Sequence, residues 1–106
     1  MNVTLITGNI GADAEVKQIR EDLFAVNFSV AVTKRIKDAE DKTTWFKCVW
    51  FLKTDNVANL LKKGNVVAIE GEVDLERFKN KDGIDVTNLK LLVKELSFCY
   101  TKPSSN

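Results

Sequence analysis

Trp45, Lys47, Val49, Phe51 and Lys53 occupy alternate positions in the run Trp45-Phe46-Lys47-Cys48-Val49-Trp50-Phe51-Leu52-Lys53. On a strand, successive side chains point to opposite sides, so these five share one face. Phe46, Cys48, Trp50 and Leu52 share the other, which carries no charge and reads as core or subunit interface. The first face alternates large rings with ammonium groups. That chemistry suits flat rings strung along an anionic backbone, and single-stranded nucleic acid is such a ligand. A purely buried role for Trp45 and Phe51 is the competing reading, and the lysines between them count against it.

Other candidate groups lie outside this run. Lys34-Arg35-Ile36-Lys37 places three cations within four residues, open to phosphate contact or to simple solvation, with Asp38, Glu40 and Asp41 cancelling part of the field. Lys79 and Lys81 have the same two readings. Glu70, Glu72, Asp74 and Glu76 recur every second residue and share a strand face with Phe78, while Val67, Ile69, Val73 and Leu75 are expected to point inward. A carboxylate row can serve acid–base chemistry or hold a cation, but no partner motif accompanies it, so a solvated or inter-subunit face is the simpler reading. Beside a phosphate path such a row repels. Either the path shifts toward Lys47 and Lys53, or binding is modest and very sensitive to salt.

The residue inventory removes several other functions. The chain has no histidine, so a Ser-His or Cys-His pair cannot form within it, and no catalytic residue is assigned. Cys48 and Cys99 lack metal-ligand spacing, and neither metal nor cofactor is expected. A Cys48–Cys99 disulfide is open, although reduced thiols packed as small hydrophobes fit a cytoplasmic chain better. Net charge is +1 from 16 basic and 15 acidic residues, so any attraction for a polyanion must be local.

The elements that hold these residues follow from pattern. At 106 residues, 44% hydrophobic and 29% charged, the chain fits one globular domain. Charges interrupt every apolar stretch, and the first residues do not resemble a signal peptide, so no membrane span and a cytoplasmic location are expected. Residues 3–7 form a short β-rich run, with Gly8-Asn9-Ile10-Gly11 expected as a tight turn. Phe24, Val26, Phe28, Val30 and Val32 alternate with small or polar residues and predict a second strand. Residues 34–42 predict an exposed hairpin loop before the third strand. Thr54 or Asp55 can cap a short helix with Val57, Ala58, Leu60 and Leu61 on one side, stopped at Gly64. A fourth strand over 66–77 turns through Asn80-Lys81-Asp82-Gly83 into a fifth, from about 84 to 98. Five strands with one short α-helix between the third and fourth predict an all-β OB-fold, a Greek-key barrel, over residues 1–100. Residues 101–106 read as a short, mobile polar tail.

With these features in place, the chain resembles a bacterial single-stranded DNA-binding protein from Val3 to about Phe98. The likeness is carried by Gly8-Asn9-Ile10-Gly11, Thr44-Trp45, Lys62-Lys63-Gly64 and Ile69-Glu70-Gly71, in that order and spacing. It implies base stacking at Trp45, Phe51 and Phe78, with Ile36 where a further tryptophan is usual. It also implies phosphate contacts at Lys47 and Lys53, and assembly as a homotetramer or sometimes a homodimer. Three features depart from the family. Ile36 cannot stack as an indole does, and Asp74 and Glu76 replace residues that tend to be basic. The tail lacks the acidic, Phe-ended tip that recruits replication and repair enzymes, which puts such recruitment in doubt. The expected function is binding and protection of single-stranded DNA with little sequence preference during replication, recombination or repair. The alternatives are an OB-fold protein-interaction module and an RNA- or primosome-type module.

Overall fold

The computed structural model describes residues 1–101 and 103; the remaining tail positions, 102 and 104–106, lie outside the described residues. Among these residues there are six strands: β1 Thr4–Ile10, β2 Glu15–Arg20, β3 Leu23–Lys34, β4 Lys42–Leu52, β5 Val66–Lys79 and β6 Asp85–Tyr100. They lie in the order β1-β5-β6-β4-β3-β2, and a further β1–β3 pairing closes the barrel. All neighbours are antiparallel except β4 and β6. This is the expected OB-fold, with one more strand than the pattern predicts. Among the described residues, no helix is long and apolar enough to cross a membrane.

The extra strand has a simple origin. β1 pairs with β3 at Asn9↔Ala31 and Ile10↔Val30, and β2 continues along the same strand from Glu15↔Asn27. β1 and β2 are therefore two segments of one barrel edge, interrupted at residues 11–14. Every residue of β2 is exposed, so it buries no apolar face that periodicity could reveal.

Gly8-Asn9-Ile10-Gly11 is not the expected turn. Gly8 and Asn9 continue β1, and Ile10 ends it with its side chain buried. Glycine is needed at position 8 because β1 crosses very close to β3. A Cβ there would stand 2.3 Å from the Ala31 carbonyl oxygen.

The core follows the predicted parity. Val26, Phe28 and Val30 of β3, Cys48 of β4, Val67 and Ile69 of β5, and Leu91 and Val93 of β6 are buried together with Ile10 and Leu61. Phe46, Trp50 and Leu52 pack against this cluster, as their face of β4 requires. Between β4 and β5 the chain forms a 3-10 helix, Asn56–Leu60, rather than the expected α-helix. Five residues are too few to repay α-helix nucleation, and Asp55 makes no side-chain cap. The segment is held instead by its ends. Leu61 plugs the barrel, the Ala14 amide donates to its carbonyl oxygen at 2.9 Å, and the Ile10 amide donates to the Asn65 carbonyl oxygen at 2.9 Å.

β5 and β6 outrun the barrel as a long hairpin. The radius of gyration is 15.0 Å, against about 13 Å for a compact chain of this length. Leu75, expected to face inward, is therefore 52% exposed, because its side of the strand has passed beyond the core. The hairpin tip is the predicted one: Asn80 Oδ1 accepts from the amides of Asp82 and Ile84.

Two outcomes test this packing. Gly8→Ala should destabilise the fold by roughly 1–3 kcal/mol, read from the urea midpoint, because backbone must move to admit the methyl. Cys48 and Cys99 are both free, Cys48 buried and Cys99 exposed. Burial pushes the Cys48 thiol from 9.0 to about 12. A thiol held neutral stabilises the fold fully below about pH 9, and that contribution fades as pH rises toward 12. At pH 8 a disulfide-exchange reagent should label one thiol quickly and the second only at the rate of unfolding.

Candidate nucleic-acid interface

The face opposite the core side of β4 is built by cross-strand register. Paired residues in a sheet share a face, so two transverse rows and the two ends of a third can be read directly. Glu72 of β5, Leu92 of β6, Val49 of β4 and Asn27 of β3 form one row. Asp74, Lys90, Lys47 and Ser29 form the next. In the third, Glu76 stands opposite Asn88 and Ala31 opposite Trp45. Asp74 and Glu76 therefore lie on the same face as Trp45 and Lys47.

Trp45 is 54% exposed, Phe51 48% and Phe78 43%, although each carries a large apolar ring. Large exposed rings on one sheet face make that face a candidate binding surface. Val49 and Phe51 line a cleft of about 590 Å³ with Leu92, Lys90, Glu72 and Asp74. Phe78 reaches the same surface from the hairpin, where the Lys47 ammonium lies 5.9 Å from its ring centroid. That contact places a positive charge on an aromatic face, worth about 0.5–1 kcal/mol at an exposed site.

Trp45 is exposed but not loose. Its six-membered ring lies against the backbone of Gly11, where a Cβ would come within 2.5 Å of Cζ3 and 2.8 Å of Cη2. The Gly11 amide donates to the Ser29 carbonyl oxygen at 3.0 Å, so the bare backbone under the indole is itself fixed. The break between β1 and β2 thus serves as a bracket for the ring.

The remaining candidates spread around this face. Lys53 is exposed just beyond the end of β4. Arg35, Ile36 and Lys37 are exposed in the loop joining β3 to β4, where the Ala39 amide donates to the Ile36 carbonyl oxygen. Lys34 stands opposite Lys42 with the parity of Val32, so strand alternation directs it away from the Trp45 side. Lys79 likewise has the parity opposite to Phe78, and Lys81 sits in the exposed hairpin turn. The structure brings together Trp45, Lys47, Phe51 and Phe78, with Lys53 adjoining, and leaves Lys34 and Lys79 on the reverse faces of their hairpins. Among the described residues, no ion pair holds Lys47, Lys53, Arg35, Lys37 or Lys81.

Sequence reading passed over Lys90 and Lys94. Lys94 Nζ meets Glu72 Oε1 at 2.9 Å, and Lys90 Nζ meets Glu76 Oε2 at 3.6 Å. The Glu72 hydrogen bond and charge raise the Lys94 ammonium above its usual range, with Glu70 adding slightly. A signal was present: Lys90, Leu92 and Lys94 alternate with Leu91 and Val93, which are buried.

The bracket is testable alone. Gly11→Ala should displace the indole while leaving the unfolding midpoint nearly unchanged, because a side chain yields before backbone does. Tryptophan emission should shift and acrylamide quenching should rise. Unaltered emission would mean that Gly11 does not set the ring.

Known proteins supply the comparison. A family model described as "Single-strand binding protein family" matches residues 1–99. A protein named single-stranded DNA-binding protein from Xanthomonas campestris pv. campestris is 28% identical over 91% of this chain and 59% of its own length. One of the same name from Chlamydia caviae is 33% identical over 86% of this chain and 56% of its own. "Single-stranded DNA-binding protein 1" of Xylella fastidiosa is 29% identical, covering 100% of this chain and 82% of that one. The chain thus spans under two thirds of the length of several relatives. In structure it superposes on the small single-stranded DNA-binding protein from Streptomyces coelicolor with a TM-score of 0.79 at 19% identity, covering 91% and 92% of the two chains, which establishes a shared fold.

Proposed function

The chain belongs to the single-strand binding protein family, and on that footing we propose that it binds single-stranded DNA with little sequence preference. The carrying observation is the exposed, braced indole of Trp45 beside Lys47, with Phe51 and Phe78 on the same surface. Bases stack on Trp45, Phe51 and Phe78, and phosphates meet Lys47 and Lys53. Arg35, Lys37 and Lys81 extend the cationic rim at the two hairpins. Lys34 and Lys79 join it where the strand wraps past a hairpin edge, and Ile36 offers apolar contact without a ring to stack on.

In this reading residues 1–100 form the binding unit, which holds and protects unpaired DNA during replication, recombination or repair without performing a reaction. It works in the cytoplasm as a homo-oligomer, a tetramer or else a dimer. Relatives named for the same binding, and the shared fold, support this reading. The Lys47–Phe78 contact gives the site a coupled step. A base that takes the ring face occupied by Lys47 releases the ammonium to a nearby phosphate.

Titration of labelled oligo(dT) at two salt concentrations tests the proposal. Affinity should fall with salt, with a log–log slope of about −0.7 per phosphate contacted. Trp45→Ala should weaken binding by roughly 1–3 kcal/mol, the contribution of one stacked base. Trp45→Phe should bind nearly as well as the parent while abolishing most of the emission quench, since Trp50 is packed against the core. Equal affinity of Trp45→Ala and the parent would remove Trp45 from the site. Tighter binding of oligo(rU) than oligo(dT) would redirect the proposal to RNA.

A further inference from the structure

The β5 carboxylates on the binding face need an explanation, because they stand where a polyanion would pass. Glu72, Asp74 and Glu76 are each one cross-strand step from β6. There the same face carries Leu92 opposite Glu72, Lys90 opposite Asp74 and Asn88 opposite Glu76, with Lys94 following Leu92. Two of the three acids are tied to these lysines, Glu72 to Lys94 at 2.9 Å and Glu76 to Lys90 at 3.6 Å. Lys90 in turn is the register partner of Lys47. Like charges set side by side across a sheet are unfavourable unless an anion joins them.

We propose that Lys90 and Lys94 are phosphate-binding residues, that Lys47 and Lys90 together form one phosphate seat, and that Glu72 and Glu76 mask this β6 track until nucleic acid displaces them.

Distance favours exchange at Lys90–Glu76, while Lys94–Glu72 at 2.9 Å is a full charge-assisted hydrogen bond open to competition only through its exposure. The Lys90–Glu76 separation is long for a charge-assisted hydrogen bond, and both groups are largely exposed. Solvent-exposed pairs of this kind hold little free energy, so a phosphate that can reach Lys47 and Lys90 at once competes well. The displaced Glu76 has an alternative donor. Asn88, directly across the sheet, has a buried Nδ2 without a hydrogen-bond partner. A spare amide beside a carboxylate that must leave its lysine lets the exchange proceed without stranding a charge. The masked track lies between the Trp45–Phe51 wall and the acidic row, which also explains how a chain of net charge +1 can hold a polyanion on a face containing three carboxylates.

This inference rests on the nucleic-acid reading above, and charge variants separate the two. Lys90→Ala and Lys94→Ala should each weaken oligo(dT) binding several-fold and flatten the log–log salt slope by about 0.7, one phosphate contact. Glu76→Gln and Glu72→Gln should each tighten binding several-fold. All four should leave the thermal midpoint close to that of the parent, so that a purely structural ion pair would move neither affinity nor slope. A parent that binds, with Lys90→Ala and Lys94→Ala unchanged in both quantities, overturns the masked track and leaves the Trp45 site standing. A parent that binds weakly and gains strongly from the Glu→Gln changes supports it. Absence of binding by the parent and by the Glu72→Gln/Glu76→Gln double variant overturns both readings.

Discussion

The rest of the molecule depends on the register of β4. Phe46, Cys48, Trp50 and Leu52 must face the barrel core, and the two-residue repeat of a strand then leaves Trp45, Lys47, Val49 and Phe51 no choice but the other side. A slip of one residue would turn the Lys47 ammonium inward and expose four apolar side chains. β4 is locked against such a slip by antiparallel pairing with β3 along its whole length and by parallel pairing with β6 through Phe46↔Leu89 to Val49↔Leu92. The burial that stabilises the fold thereby also presents the rings. The outward placement of these side chains is a consequence of core packing.

Presentation alone does not make a stacking platform, because an exposed indole samples several rotamers at an entropic cost to any ligand. Here the ring rests on a glycine. The interruption between β1 and β2 brings backbone without a side chain beneath Trp45, and the Gly11–Ser29 hydrogen bond holds that backbone in place. Gly8 solves a related problem one turn of pleat away, where β1 must approach β3 to close the barrel. Two glycines in one short motif therefore have separate tasks, one for closure of the fold and one for the ring.

Electrostatics on this face is local and paired. The total charge says almost nothing, but across β4, β6 and β5 the face runs from the Lys47 ammonium, which is in no ion pair among the described residues, to ammonium groups held by carboxylates. Glu72 and Glu76 of β5 are matched by Lys94 and Lys90 of β6, so this part of the strand presents pairs rather than a bare negative edge. Exposed pairs are weak and exchangeable, which lets such a surface be tuned by single charges without disturbing the barrel.

Within the sequence, strong period-two patterns determined the core faces of β3 and β4, the Asn80 hairpin turn, the OB-fold and the outward set of Trp45, Lys47 and Phe51. Those signals are legible because alternation and turn chemistry are local properties of the chain. β2 was not legible: every side chain in it is exposed, and it exists only because β3 offers an unpaired edge. Leu75 carries an inward parity that means nothing once β5 has outrun the core. The 3-10 geometry at residues 56–60 likewise answers to the contacts that pin Ile10, Leu61 and Asn65. Tertiary structure alone decided that Gly11 lies under Trp45, that Lys47 reaches Phe78, and that Lys90 and Lys94 stand beside Glu76 and Glu72. Each of these contacts joins residues far apart in the chain, and only the pairing of strands across the barrel turns such distance into adjacency.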